Sequence, residues 1–160
     1  MSPHPIEIKR ATSPRDFSHA KDLIMEYVSW LNMDLSFQNF DHEMAMLPDM
    51  YNEQDGGLFI AYLDEQPVGV VGLRKFNQDE SEVKRMYVKP DGRGMSIGKL
   101  LLNQCIQTAK DLKYKSIKLD TGDFMKAAIH LYLSQGFVEI PAYRFNPHEG
   151  AKYFELKLGE

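Results

Sequence analysis

The sequence predicts an α/β (α+β) protein with a mixed, mostly antiparallel central sheet of about seven strands, flanked by about four helices. Two observations support this fold class. The first half of the chain leads into three consecutive strands, which is typical of an antiparallel meander. The second half alternates strands with helices, which is typical of a layered α/β arrangement. A chain that combines both patterns is expected to form a mixed sheet with helices on both faces.

Length and composition predict one globular domain over residues 1–160. The hydrophobic fraction is 43% and the charged fraction 26%, so the chain is too apolar to be disordered. A single cysteine cannot form an internal disulfide, and we therefore expect a cytoplasmic protein. The net charge of −4 argues against a nucleic-acid partner. No apolar run approaches the roughly 20 residues that cross a membrane, so no membrane association is expected.

The first strand and the first helix have clear sequence signals. Alternating apolar residues predict a strand over Ile6–Ala11. Ser13 is a capping residue, Pro14 suits the first helical position, and Asp16 stands where a carboxylate completes the cap. Apolar residues then recur at helical spacing as far as Leu31.

The remaining elements are predicted from the same periodicities and from glycine and proline breaks. A weaker helix over residues 40–50 is expected to stop near Pro48, and a long amphipathic helix begins near Met95. Gly136 ends the last helix. The other predicted elements are strands at Leu58–Leu63, Val68–Lys75, Glu82–Val88, Ser116–Thr121, Phe137–Tyr143 and Lys152–Leu158, and a helix at Phe124–Ser134.

The turn before the long helix is the most informative segment. Gly92, Gly94 and Gly98 stand at or near the start of this helix, with Arg93 and Lys99 among them. The first amides of a helix lack intrahelical partners and carry the positive end of the helix dipole. Glycines let the backbone approach a ligand closely, so this pattern is typical of a phosphate site.

Two common phosphate motifs do not fit this turn. A P-loop needs a serine or threonine after Gly98-Lys99, and the sequence has Leu100 there. A dinucleotide fingerprint needs its third glycine one position earlier than Gly98. A turn with glycines for geometry alone is the structural alternative.

Residues 93–98, Arg-Gly-Met-Ser-Ile-Gly, resemble the signature Arg/Gln-x-x-Gly-x-Gly/Ala of the GNAT N-acetyltransferase superfamily. A second block at residues 127–137 is similar to the A-x-x-L-Y-x-x-x-G-F segment of that family. The predicted order of elements also matches the family fold. The sequence departs from the family pattern at Ser96, where glycine is usual, and at Met125, where many relatives have asparagine.

The resemblance implies acetyl-coenzyme A as the acyl-donor cosubstrate and no metal. The backbone of Met86 and Val88 would pair with the pantetheine arm, while their side chains are expected in the core. The amides from Gly94 to Lys99 would hold the pyrophosphate, with Arg93 nearby. The implied cofactor-binding residues are Met86, Val88, Arg93, Gly94, Met95, Ser96, Ile97, Gly98 and Lys99.

The resemblance also implies catalytic residues. Tyr132 occupies the position of the tyrosine that protonates the coenzyme A sulfur in relatives. A lysine-like acceptor amine is almost fully protonated at pH 7, so a base would assist transfer. Glu82 precedes the cofactor strand and Asp120 lies on the strand after the long helix, and both are candidate bases. A water relay is the alternative.

The other polar and aromatic residues have less specific interpretations. Lys84, Arg85 and Lys89 are expected on a solvated strand edge, and the alternative is that they attract an anionic substrate or the phosphates of the coenzyme. With Arg93 and Lys99 they form a local concentration of basic residues around the proposed phosphate site. The five histidines show no metal-ligand spacing. Cys105 lies on the apolar arc of its helix and is expected in the core. The resemblance implies that the acceptor pocket is shaped by the region that holds Trp30, Met33, Phe37 and Phe40, although an aromatic cluster at helical spacing more often fills the core. Further candidate acceptor contacts come from a polar loop between the last strands: Tyr143, Arg144 and Asn146.

These expectations describe an N-acetyltransferase in which a primary amine of a small molecule or peptide attacks the thioester directly. The alternative is a non-catalytic acyl-coenzyme A sensor or interaction module with the same fold, and nicotinamide binding is a third hypothesis. The acceptor remains open among small amines, amino acids, aminoglycosides and protein N-termini, and so does the length of the acyl group. A homodimer is the commonest homo-oligomer, but the sequence leaves the oligomeric state open.

Overall fold

The computed structural model describes residues 6–31, 40–92 and 96–159, with Asp91 described by its backbone alone. These residues form seven strands, five α-helices and one turn of 3₁₀ helix at Pro90–Gly92. The strands are β1 (Ile6–Arg10), β2 (Gly57–Leu63), β3 (Gln66–Lys75), β4 (Glu80–Val88), β5 (Ser116–Gly122), β6 (Val138–Ile140) and β7 (Ala151–Lys157). The helices are α1 (Pro14–Leu31), α2 (Phe40–Ala45), α3 (Leu47–Met50), α4 (Ile97–Asp111) and α5 (Lys126–Ser134).

All seven strands belong to one sheet, in the order β1-β2-β3-β4-β5-β7-β6. The pairing of β4 with β5 is parallel, and the other five pairings are antiparallel. The parallel pair joins the meander of the first half to the alternating second half, because α4 is the crossover between β4 and β5. The predicted fold class is therefore confirmed.

The sheet separates two hydrophobic cores. Helices α4 and α5 cover one face, where Leu101 packs with Phe59 and Phe154. Helices α1, α2 and α3 cover the other face, where Ile24 packs with Ile60. Neighbouring residues of β2 thus enter opposite cores, as the alternation of side chains along a strand requires.

The start of α1 is capped as the sequence predicts. The Asp16 amide donates to Ser13 Oγ at 3.1 Å, and the Ser13 amide donates to Asp16 Oδ2 at 3.3 Å. The Thr12 amide donates to the same carboxylate oxygen at 3.1 Å. These bonds satisfy backbone donors that the first turn of a helix leaves unpaired.

Two predicted boundaries were wrong, and proline explains both. The helix predicted over residues 40–50 is two helices, because Pro48 lies in the first turn of α3 and so helps to begin a helix. Proline fits there since the first amides of a helix have no intrahelical acceptor. The strand predicted over residues 137–143 is only β6, which ends at Ile140 before Pro141.

Strand β4 carries a bulge next to Arg85. Its register with β3 passes from Val70 opposite Tyr87 to Gly72 opposite Lys84, so β4 has one extra residue between these pairs. Arg85 has a φ of 62°, in the left-handed region that side chains other than glycine rarely adopt. A strained bulge of this kind persists only when surrounding contacts hold it.

Glu43 of α2 holds the bulge. Arg85 donates to both carboxylate oxygens of Glu43, from Nε and Nη2, each at 2.9 Å, and both side chains are buried. The Tyr51 hydroxyl adds a third bond to this carboxylate at 2.8 Å. Burial alone raises the pKa of Glu43, but the hydrogen bonds and charge of Arg85 outweigh it and keep the pKa below its usual value.

Replacing Glu43 by glutamine is expected to lower the free energy of unfolding by about 3–5 kcal/mol, because it leaves Arg85 as a buried unpaired charge. The pKa of Glu43 in the fold lies below the ordinary 4.5. Its stabilisation is therefore complete above pH 4.5 and is lost as the pH falls through the lower, folded-state pKa. Urea denaturation of the wild type and of Glu43→Gln, repeated from pH 7 downward, measures the difference in their free energies of unfolding. This difference should shrink as the solution becomes acidic. Glu53→Gln, at an exposed loop position, is the control. A difference below about 1 kcal/mol at pH 7 would contradict the role given to Glu43.

Candidate functional site

The two central strands separate along their length and leave a pocket between them. The parallel pairing joins Glu80–Glu82 to Ser116–Lys118 and goes no further, although both strands continue. The space beyond this pairing, which we call the central pocket, has a volume of about 100 Å³. Its walls come from β4, β5, α1, α5 and the loop between β6 and β7. The polar or reactive side chains on these walls include Lys84, Asp120, Thr121, Tyr132, Asn146 and His148.

A longer groove continues from the central pocket along the end of β4 and the start of α4. Four residues line both spaces, so the pocket and the groove are continuous: Tyr27, Met86, Phe124 and Met125. The described positions that the sequence predicts as cofactor-binding also line the groove: Met86, Val88, Ser96, Ile97, Gly98 and Lys99. The side chains of Met86 and Val88 are partly buried against the core, as predicted.

The N-terminus of α4 forms one wall of the groove. Ser96 precedes the helix with a φ of 59°, and its side chain makes no capping hydrogen bond. The first helical bond runs from the Leu100 amide to the Ser96 carbonyl oxygen. The amides of residues 97–99 therefore have no intrahelical acceptor, and the positive end of the helix dipole lies at the groove. Arg93, Gly94 and Met95, also predicted to bind the cofactor, lie outside the described residues.

The end of α5 fixes the position of Tyr132. The Phe137 amide donates to the Tyr132 carbonyl oxygen at 3.0 Å, and the Gly136 amide donates to the Leu133 carbonyl oxygen at 3.1 Å. This is a Schellman motif with Gly136 at a φ of 98°. The rings of Tyr132 and Phe137 pack with centroids 5.8 Å apart, which is the hydrophobic contact that accompanies the motif. The predicted glycine stop is confirmed.

The Tyr132 side chain is buried and borders the central pocket. Its hydroxyl makes no hydrogen bond with any other described residue. Burial raises the pKa of this tyrosine strongly, and Tyr27 and Asp120 add to the effect. The Tyr132 hydroxyl therefore stays protonated and can donate a hydrogen bond to a molecule in the pocket.

The two candidate carboxylates occupy different environments. Asp120 lines the central pocket and accepts a hydrogen bond from Asn146 Nδ2 at 3.2 Å. Glu82 is fully buried and is not among the residues that line the pocket. Its oxygens accept hydrogen bonds from the Tyr143 hydroxyl at 2.6 Å and from Arg144 Nη2 at 2.8 Å. The structure thus brings Asp120 and Tyr132 to one pocket and places Glu82 behind it.

Lys84 and Arg85 are both buried, so the predicted solvated strand edge is wrong for them. Strand β4 lies in the middle of the sheet, with helices on both faces, and its bulge turns Arg85 toward Glu43. Lys84 lines the central pocket, whereas Lys89 remains partly exposed, with its Nζ 3.6 Å from Oε1 of Glu26. The predicted basic concentration around the phosphate site therefore does not include Lys84 or Arg85.

Burial lowers the pKa of Lys84 to about 8, although the charges of Glu82 and Asp120 act in the opposite direction. This residue is a buried cation on the wall of a pocket. Such a position carries a desolvation cost that structural lysines normally avoid. The sequence carries no signal for the burial of Lys84, because the bulge that orients β4 cannot be predicted from periodicity.

The sequence model of the Acetyltransferase (GNAT) family matches residues 24–137, which include the pocket strands and most of the groove. The chain belongs to the GNAT acetyltransferase family. It is an acyltransferase, as the sequence predicts.

Acetyltransferases from other organisms resemble this chain in sequence and in fold. An uncharacterized N-acetyltransferase of Schizosaccharomyces pombe is 36% identical over 163 residues, covering 100% of this chain and 99% of the relative. The crystal structure of a GNAT-family acetyltransferase from Staphylococcus aureus Mu50 superposes with a TM-score of 0.80 at 23% identity, covering 96% and 99% of the two chains. PaiA N-acetyltransferase from Thermoplasma acidophilum, solved in complex with coenzyme A, has a TM-score of 0.74 at 17% identity and covers 96% and 99%.

Several other predicted residues in this GNAT protein can now be placed. Cys105 is fully buried in the α4 core, as predicted, and burial raises the pKa of its thiol. Trp30 is half-exposed at the groove, while Phe40 is buried beside Arg85. Met33 and Phe37 lie outside the described residues.

The part of the chain that the structure describes contains no group of three or more histidine, cysteine, aspartate or glutamate side chains that would hold a metal ion. Its helices include none long and apolar enough to cross a membrane.

Replacing Ser96 by glycine is expected to raise the free energy of unfolding by about 1 kcal/mol, because glycine adopts a φ of 59° without the steric penalty of a side chain. Ser96→Ala is the matched control. The serine side chain makes no capping bond, so alanine keeps the strain and loses no hydrogen bond. Denaturant titration of the three proteins measures the difference. A gain shared by both variants would mean that backbone strain is not its source.

Proposed function

We propose that this chain, acting as one domain, transfers an acetyl group from acetyl-coenzyme A to a primary amine by direct attack of the amine on the thioester. The observation that carries the proposal is the continuity of the groove at the N-terminus of α4 with a pocket that holds an unpaired tyrosine hydroxyl and a carboxylate. A phosphate-bearing donor fits the groove, and acid–base chemistry fits the pocket. The coenzyme A complex of the PaiA relative supports the choice of donor.

The cofactor would lie along the groove in an extended form. The amides of Ile97, Gly98 and Lys99 would take the pyrophosphate, with the positive end of the helix dipole opposing its charge. Beyond Glu82, strand β4 is not paired to β5. The pantetheine arm would run beside Met86 and Val88 on that side, as an added strand does. This placement brings the thioester toward the central pocket.

The residues of the pocket would divide the proton transfers between them. An acceptor amine with a pKa of about 10.4 is neutral in only about 4 of 10,000 molecules at pH 7, which corresponds to a barrier of about 4.6 kcal/mol. Asp120, directly or through water, would accept the proton that the ammonium loses before attack. The nitrogen would lose its second proton to water as it bonds to the acetyl carbon. The carbon–sulfur bond breaks, and Tyr132 would donate its proton to the leaving thiolate. Glu82 is placed to position Arg144 and Tyr143 of the neighbouring loop.

Replacing Tyr132 by phenylalanine is expected to lower kcat by about 100-fold or more, because the leaving thiolate loses its proton donor while the ring keeps its packing on Phe137. The affinity for coenzyme A should change little. Thiol release from acetyl-coenzyme A with a panel of amines measures turnover, and calorimetry with coenzyme A measures binding. Tyr114→Phe is a control, since Tyr114 bonds to a backbone carbonyl away from the pocket. Tight coenzyme A binding by the wild type with no turnover on any amine would instead favour an acyl-coenzyme A sensor.

Replacing Asp120 by asparagine is expected to lower kcat/KM at pH 7 by about 100-fold, because the amine then loses its proton acceptor. The loss should diminish at high pH, where the acceptor amine is already neutral. A pH profile of kcat/KM for both proteins tests this, with Asp111→Asn on the exposed face of α4 as the control. A loss below threefold at every pH would remove Asp120 from the mechanism and favour a water relay.

A further inference from the structure

Lys84 is a buried cation whose charge no nearby carboxylate neutralises directly. It is 6% exposed and lines the central pocket. Within residues 6–31, 40–92 and 96–159 it forms neither a hydrogen bond nor an ion pair. The other buried cation of these residues, Arg85, is paired with Glu43 through two hydrogen bonds. Burying a charge without a partner is costly, so an unpaired ammonium on a pocket wall indicates a site for an anionic group.

The charges around Lys84 define which anionic group fits. Glu82 and Asp120 favour its protonated form, while Arg85 and Arg144 oppose it. Glu82 already accepts bonds from Arg144 and Tyr143, and Asp120 forms no ion pair with Lys84. The pocket therefore has a cation on its β4 wall and a carboxylate on its β5 wall, and the two do not form an ion pair with each other.

We propose that the acceptor is an α-amino acid with a free carboxylate, and that Lys84 binds this carboxylate while the α-amine lies toward Asp120. This inference rests on the proposed acetyl transfer and specifies its substrate class. A zwitterion places opposite charges on one carbon atom and so matches the cation and the carboxylate of the pocket. A polyamine would instead bring a second cation against Lys84. A protein N-terminus would bring an amide where the ammonium needs an anion.

Lys84 as the general base is the competing interpretation, because the lowered pKa of about 8 leaves a fraction of it neutral at pH 7. The two roles predict different kinetics. A carboxylate-binding lysine affects substrates that carry a carboxylate and acts mainly on KM. A base affects every amine and acts on kcat.

The experiment compares the twenty L-α-amino acids with their C-terminal amides in the thiol-release assay. Each pair has the same side chain and differs in the carboxylate. The amine of an amide is less basic and more often neutral at pH 7, so a preference for the free acid cannot come from amine basicity. The wild type is expected to use at least one free amino acid with kcat/KM more than about 10-fold above that of its amide.

Lys84→Met is expected to lower that ratio by about 10- to 100-fold, mainly through KM for the free acid, and Lys84→Arg to restore part of it. Lys115→Met is the matched control, because Lys115 is largely exposed, pairs with Asp79 and does not line the central pocket. Circular dichroism checks the fold of each variant. The wild-type comparison of acids with amides tests the inference even if a variant fails to fold.

Binding is measured separately, by calorimetry of the same acids and amides in the presence of coenzyme A. Carboxylate-dependent binding that Lys84→Met abolishes supports the inference even without turnover. Equal use or equal binding of acids and amides by the wild type would overturn it, while turnover of any amine would leave the proposed acetyl transfer standing. An equal loss of kcat on acids and amides in Lys84→Met would also overturn it and identify Lys84 as a base. Failure of the wild type to bind coenzyme A would count against the proposed function instead.

Discussion

The buried ion pair between Arg85 and Glu43 is the interaction on which the site depends. Arg85 occupies a left-handed conformation in the middle of a central strand, and the bidentate bond to α2 holds it there. The resulting bulge shifts the register of β4 against β3. The parallel contact with β5 ends at Glu82, just before the bulge, so the central pocket begins where regular pairing stops. A helix far along the chain from β4 thereby controls the geometry of the sheet beside the central pocket.

The second requirement of the site is the convergence of two helix ends. The N-terminus of α4 reaches the groove because α4 is the crossover between the parallel strands. The C-terminus of α5 anchors Tyr132 through the backbone bonds of Gly136 and Phe137. Unsatisfied amides at one end and a fixed side chain at the other follow from the same rule, that helix termini must find partners outside the helix. The sheet sets the distance between the two ends.

The sequence predicted those parts of the molecule that depend on local patterns. Periodicity gave the seven strands and the main helices, and the capping residues Ser13 and Asp16 gave the start of α1. The motif at residues 93–98 and the block ending in Gly136-Phe137 gave the family. What the sequence could not provide depends on contacts between distant residues. Lys84 and Arg85 look solvated in a charged strand, and only the bulge and the Glu43 partner account for their burial. The separate positions of Glu82 and Asp120 likewise follow from tertiary hydrogen bonds with the loop that precedes β7.

That loop is attached to the sheet at its base. Tyr143 and Arg144 bond to Glu82, and Tyr143 also packs against Phe76 with ring centroids 5.2 Å apart. Asn146 and His148, which border the pocket, come after this anchored segment. Residues that support the loop are therefore distinct from residues that line the pocket. In evolutionary terms, this division makes the loop tip a module in which substitutions can reshape the pocket wall while the scaffold that carries them stays unchanged.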